Sequence, residues 1–167
     1  MTIRLALACA GIPLCALSVG AQAQTSTLIS QRNLSFDAAL QAATTALETC
    51  RKNGFRVTVT VLDRSGRTRV VLHDDNVSPH TLENSLRKAY TALTFRIPSG
   101  DMGKRIAANP TATSPLLLDK VTSAQGALPI KAGNDIVGSI GVSGAPGGDK
   151  DEVCSQAGID KIAAGLN

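Results

Sequence analysis

The sequence predicts an α+β domain: an antiparallel sheet built from two hairpins and flanked by helices, in the order α-β-β-α-α-β-β-α. Two patterns carry that expectation. Apolar residues recur at helical spacing in long segments near both ends and in the middle of the chain. Between those segments stand two pairs of β-rich runs, each pair joined by a short turn.

The first helix opens at Ser35, whose hydroxyl can cap it, and Phe36, Ala39, Leu40, Ala43, Ala46, Leu47 and Cys50 repeat on one face. Asn53-Gly54 closes it. The period then switches to two, with Phe55, Val57, Val59 and Val61 alternating with Arg56, Thr58 and Thr60, which predicts a half-buried strand. Asp63-Arg64-Ser65-Gly66 turns the chain into a partner strand over Arg67 to His73. Asp74-Asp75-Asn76 ends the hairpin, and Ser78-Pro79 starts a second helix with a capping hydroxyl and a proline suited to the first turn. Leu82, Leu86, Ala89 and Leu93 form its apolar stripe. Pro98 stops it, Ser99-Gly100 leads into a short helix over 100–108, and Asn109-Pro110 breaks that in turn. Residues 111–125 give mixed signals and read as a loop with one helical turn. Ala127 to Lys131 and Ile136 to Val142 form the second hairpin around Gly133-Asn134-Asp135. The last helix runs from Asp149 to Leu166, with Asp149, Asp151 and Glu152 placed where the helix dipole favours acid.

Upstream of this domain the chain reads as an export signal. Arg4 supplies the positive end, Leu5 to Val19 are mostly apolar, and Ala21-Gln22-Ala23 fits a signal-peptidase site, with cleavage expected between Ala23 and Gln24. Pro13 and the shortness of the run argue against a stable membrane anchor. The expected organisation is a signal peptide over 1–23, a flexible leader over 24–33 and a domain over 34–167, working in the periplasm or outside the cell. Cleavage leaves 144 of the 167 residues, one domain's worth of chain. With Arg4 gone, 16 Lys and Arg stand against 13 Asp and Glu, a formal charge of +3. The basic residues are scattered and the whole sequence holds only three Phe and one Tyr, so nucleic acid is not an expected partner. Cys9 and Cys15 leave with the signal peptide; Cys50 and Cys154 stay. An oxidising compartment invites a disulfide between them, and two independent buried thiols are the alternative.

Three features bear on function. The glycine cluster Gly138, Gly141, Gly144, Gly147, Gly148 matches neither a P-loop, a dinucleotide fingerprint nor a nucleophile elbow. It leaves a strand on which a neighbouring backbone or a flat ligand can come close. His73 and His80 are the two histidines, and without H-E-x-x-H or C-x-x-C no structural zinc site is expected. His80, in the first turn of the second helix, is either a surface residue or a ligand for iron. Arg87, Lys88, Tyr90 and Thr91 follow on the same helix, as a solvated face or as a cationic patch for carboxylate or phosphate groups.

The segments SPHTLENSLRKAYTALTF over 78–95, GALPI over 126–130 and IVGSIGVSGA over 136–145 together resemble the GlcG/HbpS family of haem-binding proteins, and the resemblance extends from about Leu34 to the C-terminus. It implies an antiparallel sheet flanked by helices, self-assembly into a homo-oligomer, and haem held near subunit contacts. His80 would then ligate iron, Arg87 or Lys88 would meet the propionates, and Thr91, Thr94 or Ser99 are hydroxyl alternatives. Tyr90 and the strand residues Gly141, Ser143 and Gly144 complete the expected site. The family often carries two glycines before its Leu/Val-Pro-Ile, where this chain has Gln125-Gly126-Ala127, so the resemblance implies a different pocket wall there. It also implies that the terminal helices lie side by side on one face of the sheet, where antiparallel packing brings Cys50 and Cys154 within bridging reach. The expected ligand is haem; a small anionic metabolite such as a hydroxy acid, bound or acted on through the basic helix, is the second reading. No catalytic residues are assigned, because no nucleophile-base pair is visible.

Overall fold

The structure is a computed structural model that describes residues 27–166. The expected signal peptide and residues 24–26 of the leader lie outside them. The chain divides after Ser30, and the domain runs from Gln31 onward. Within it stand α1 (Phe36–Lys52), β1 (Thr58–Asp63), β2 (Thr68–His73), α2 (His80–Phe95), α3 (Ser99–Ala108), a 3-10 turn (Ser114–Leu117), β3 (Ala127–Ala132), β4 (Asp135–Ser143), α4 (Gly148–Ile162) and a final 3-10 turn (Ala163–Gly165). The four strands form one antiparallel sheet in the order β2-β1-β4-β3, the two hairpins joining through β1 and β4. This is the α+β architecture that the periodicity predicts.

One face of the sheet carries Val57, Val59, Val61, Ile140 and Val142, buried beneath α1 and α4. Alanines dominate the buried side of α1 (Ala39, Ala42, Ala43, Ala46), and Gly158 of α4 lies against the Ala42 carbonyl, so the two terminal helices approach closely. The pair runs antiparallel. The last turn of α1 therefore meets the second turn of α4, where Cys50 and Cys154 form a disulfide with a Cα–Cα distance of 5.6 Å.

The other face departs from the period-two reading. Every residue from Thr58 to Asp63 is buried, so β1 is covered on both sides and is not half-exposed. Alternation of Val with Thr looks like inside and outside in sequence, but here the Thr side meets α2. The buried face of α2 is also not the expected leucine stripe. Thr81, Ser85, Lys88, Ala89, Thr91 and Ala92 face inward, while Leu82 is 44% exposed and Leu86 and Leu93 are only half-buried. Hydroxyls stitch the interface: Thr58 to Thr81 at 2.6 Å, Thr60 to Ser85 at 2.7 Å, and Ser139 donating to the Ala89 carbonyl at 2.8 Å. Gly141 permits this fit, because a β-carbon there would strike the Ser85 carbonyl and come within 2.7 Å of the Ala89 nitrogen.

Smaller departures follow from local bonding. Ser35 caps α1 as expected, accepting from the Ala38 nitrogen at 3.2 Å. Ser78 does not cap α2 with its hydroxyl; its carbonyl instead accepts from the Thr81 nitrogen and hydroxyl. The α-helix α4 ends at Ile162 and gives way to a 3-10 turn, short of Leu166. The end of the segment read as leader is tied down, with Arg32 paired to Asp135 at 3.0 Å and the Asn33 side chain accepting from the Arg64 nitrogen.

Cys50 and Cys154 close a loop of 104 residues, and a loop near 100 residues corresponds to about 4.7 kcal/mol of unfolded-state entropy. A Cys50→Ala/Cys154→Ala variant is expected to be less stable by about that amount in denaturant titration. Thiol labelling of the denatured, unreduced wild type is expected to find neither cysteine reactive, and two reactive thiols per chain would contradict the bridge.

Candidate functional site

A hollow of about 830 Å³ opens where α2 starts, β4 ends and α4 begins, a size in the range of small-molecule and cofactor sites. His80, Thr81, Asn84 and Lys88 line it from α2, and Ser143 to Pro146 line it from the β4–α4 connection. At its base Lys88 donates to Asp151 at 2.7 Å and to the Val142 carbonyl at 3.0 Å, with both side chains buried. The second oxygen of Asp151 accepts from the Ala145 nitrogen at 2.9 Å. Burial pushes the Asp151 carboxyl above its usual range, and the attraction of the Lys88 ammonium opposes that rise. Ser143, itself buried, accepts from the Asn84 amide at 3.0 Å, which leaves its own proton to face the hollow.

Asp74 is buried and held by a two-point contact with Arg51 at 2.7 and 3.0 Å, with Arg56 at 3.3 Å. The Arg51 hydrogen bonds hold the Asp74 carboxyl far below the usual carboxylate range. Arg56 reaches the hollow from this cluster.

Four of the residues expected from sequence meet at this hollow: His80, Lys88, Ser143 and Gly144. The others are elsewhere. Arg87 donates to the Val121 carbonyl at 2.9 Å and pairs with Glu83, and Thr91 accepts from the Thr122 nitrogen at 2.9 Å, so both pin the loop after the 3-10 turn. Arg87 and Lys88 therefore form no joint cationic patch. Ser99 is buried and accepts from the Ala127 nitrogen at 3.0 Å. Gly141 lies beneath α2, its missing side chain replaced by helix backbone. Tyr90 and Thr94 line a separate hollow of about 300 Å³ beside the β1–β2 turn, with Lys120 over the Tyr90 ring at 5.5 Å.

Asn84 and Asp151 line the large hollow without having been expected there, and Gln125, where the resemblance implies a different pocket wall, lines it too. Gln125 fills the space left by Gly100 and Gly148, a β-carbon on either of which would come within 2.8 Å of its side chain. Asp151 gave only a helix-dipole signal in sequence; its pairing with Lys88, 63 residues away, comes from the topology. Among the described residues no three His, Cys, Asp or Glu cluster as a metal site, and no helix is long and apolar enough to cross a membrane.

Sheet, helices and hollow define a small α+β domain with a four-stranded antiparallel sheet between helices and a hollow beside the end of β4. Residues 34–160 match the model of the HbpS-like family of haem degrading proteins, and the chain belongs to that family. It is 36% identical to HbpS in a crystal structure, covering 86% of this chain and 97% of that one with a TM-score of 0.75. A double mutant of HbpS from Streptomyces reticuli is 35% identical, covering 83% and 93% with the same TM-score. The haem complex of PduOC shares the fold at 22% identity and a TM-score of 0.71, over 78% of this chain and 95% of that one. No curated protein sequence matches.

Two stability predictions follow from these pairs. Lys88→Met leaves a carboxyl buried without its cation and is expected to cost about 3–5 kcal/mol in denaturant titration. Lys88→Met/Asp151→Leu should recover most of that loss. The folded-state value for Asp74 lies below its ordinary 3.8, so the stability it adds is fully present above about pH 4 and drains away as pH falls further. Asp74→Asn should therefore lower stability at neutral pH and flatten the fall below pH 4, as read by thermal melting across pH.

Proposed function

We propose that this protein is exported, loses residues 1–23, and binds haem or a related tetrapyrrole near the contacts of a homo-oligomer. The observation that carries the reading is the HbpS-like match across 34–160, nearly the whole domain. The geometry adds to it. Both histidines, His73 at the end of β2 and His80 at the start of α2, are exposed, and Leu82 of α2 is 44% exposed. An apolar flank beside imidazole groups suits a flat, apolar, iron-bearing ligand, and it equally suits burial against a second copy of the chain.

Bound haem supplies an iron that takes an axial nitrogen or oxygen ligand. The protein's part is to present that ligand, to cover the apolar faces of the ring, and to meet its carboxylates from the polar hollow, where Ser143 and Arg56 offer donors. The second reading, a carboxylate metabolite bound by the basic helix, gains no support from the structure. Lys88 is committed to Asp151 and Arg87 to the Val121 carbonyl.

The test is a titration of the purified mature protein with hemin. A saturable Soret shift is expected, with a rise in melting temperature exceeding that produced by small hydroxy acids. An absorbance that grows linearly with hemin and never saturates, with no thermal shift, would contradict the reading.

A further inference from the structure

We infer that His73, and not His80, is the imidazole built to ligate iron, on a shelf between β2 and the leucine flank of α2. The inference deepens the haem-binding reading and rests on it. Packing places the shelf first. Helix α2 lies over β1, β4 and β3, and the outer strand β2 keeps Val71 (43% exposed) and His73 open on the same side of the sheet. The register makes this clear: Val71 stands opposite Thr60 and His73 opposite Thr58, and both threonines bond to α2. Contact of Tyr90 and Leu93 with Gly66 in the β1–β2 turn shows that the leucine flank of α2 looks toward β2. Leu82 belongs to that flank and stands next to Thr81.

A chain of three hydrogen bonds then fixes the state of the His73 ring. The Thr81 hydroxyl is 2.7 Å from the Ser78 carbonyl, which can only accept, so Thr81 spends its proton there. Thr58, 2.6 Å from Thr81, must donate to it. The Thr58 oxygen is then left to accept, and the atom 2.6 Å away is His73 Nδ1, which therefore carries the ring proton. In the neutral ring Nε2 keeps its lone pair, on an exposed residue beside Val71. A ring whose second nitrogen donates to a fixed oxygen is the arrangement found behind metal-ligating histidines, where it sets both tautomer and orientation. His80 has no such support: among the described residues no hydrogen bond holds its ring. The sequence gives no sign of the difference, since Thr58 and Thr81 are 23 residues apart.

The experiment compares hemin titrations of the wild type, His73→Ala, His80→Ala, Thr58→Val and Thr58→Ser, with circular dichroism confirming each fold. The wild type is expected to saturate with a histidine-ligated spectrum. His73→Ala should lose that spectrum and weaken binding at least tenfold, and Thr58→Val should weaken it roughly tenfold while Thr58→Ser, which keeps the relay, stays near wild type. His80→Ala should leave the spectrum unchanged. Should His73→Ala titrate like the wild type while His80→Ala loses the spectrum, the inference fails and the haem reading stands. A His73→Ala variant with unaltered titration but altered oligomer size would assign the shelf to a second copy and overturn the inference as well. A wild type that never saturates removes the haem reading, and the inference with it.

Discussion

The close seating of α2 on the sheet at Gly141 is the constraint on which the rest of the structure depends. With no β-carbon at that position, helix backbone meets strand backbone, and the interface has room only for small side chains. Threonine and serine fill it, and the hydroxyls of Thr58, Thr60 and Ser139 find partners on α2 across the gap. Leucines of ordinary core size do not fit there and are turned to the flank. The same closeness brings Lys88 down to the Val142 carbonyl and past the end of β4 to Asp151 of α4. One buried ion pair thereby joins the helix on one face of the sheet to a helix on the other.

That constraint also explains where the sequence was legible and where it was not. Element order, strand pairing and the disulfide follow from periodicity, turn residues and the resemblance, because they rest on the alanine and valine face between the terminal helices, which obeys ordinary patterning. The opposite face does not. Its interface is polar in composition and buried in fact, so the Val/Thr alternation of β1 suggests an open threonine side where α2 packs, and the leucines of α2 suggest the wrong buried face. Hydroxyl ladders are invisible to a hydrophobic period.

The candidate site was legible to a similar extent. His80, Lys88, Ser143 and Gly144 do converge on the large hollow, whereas Arg87, Thr91 and Ser99 are occupied in holding loop and strand together. Side chains four or so apart on one helix share a neighbourhood, but their partners come from elements far along the chain. Asp151, Asn84 and Gln125 enter the site that way. So does the His73–Thr58–Thr81 relay, which depends on the β1–β2 register and on the height of α2 above β1.

The hydroxyl layer thus links fold to ligand chemistry: the contacts that hold α2 against β1 also orient an imidazole on the outer strand. Anomalous scattering at the iron edge from crystals of the hemin complex tests this most directly. The account places the iron peak against Nε2 of His73, over Val71 and Leu82. A peak in the large hollow beside His80, or one remote from both histidines, would contradict it.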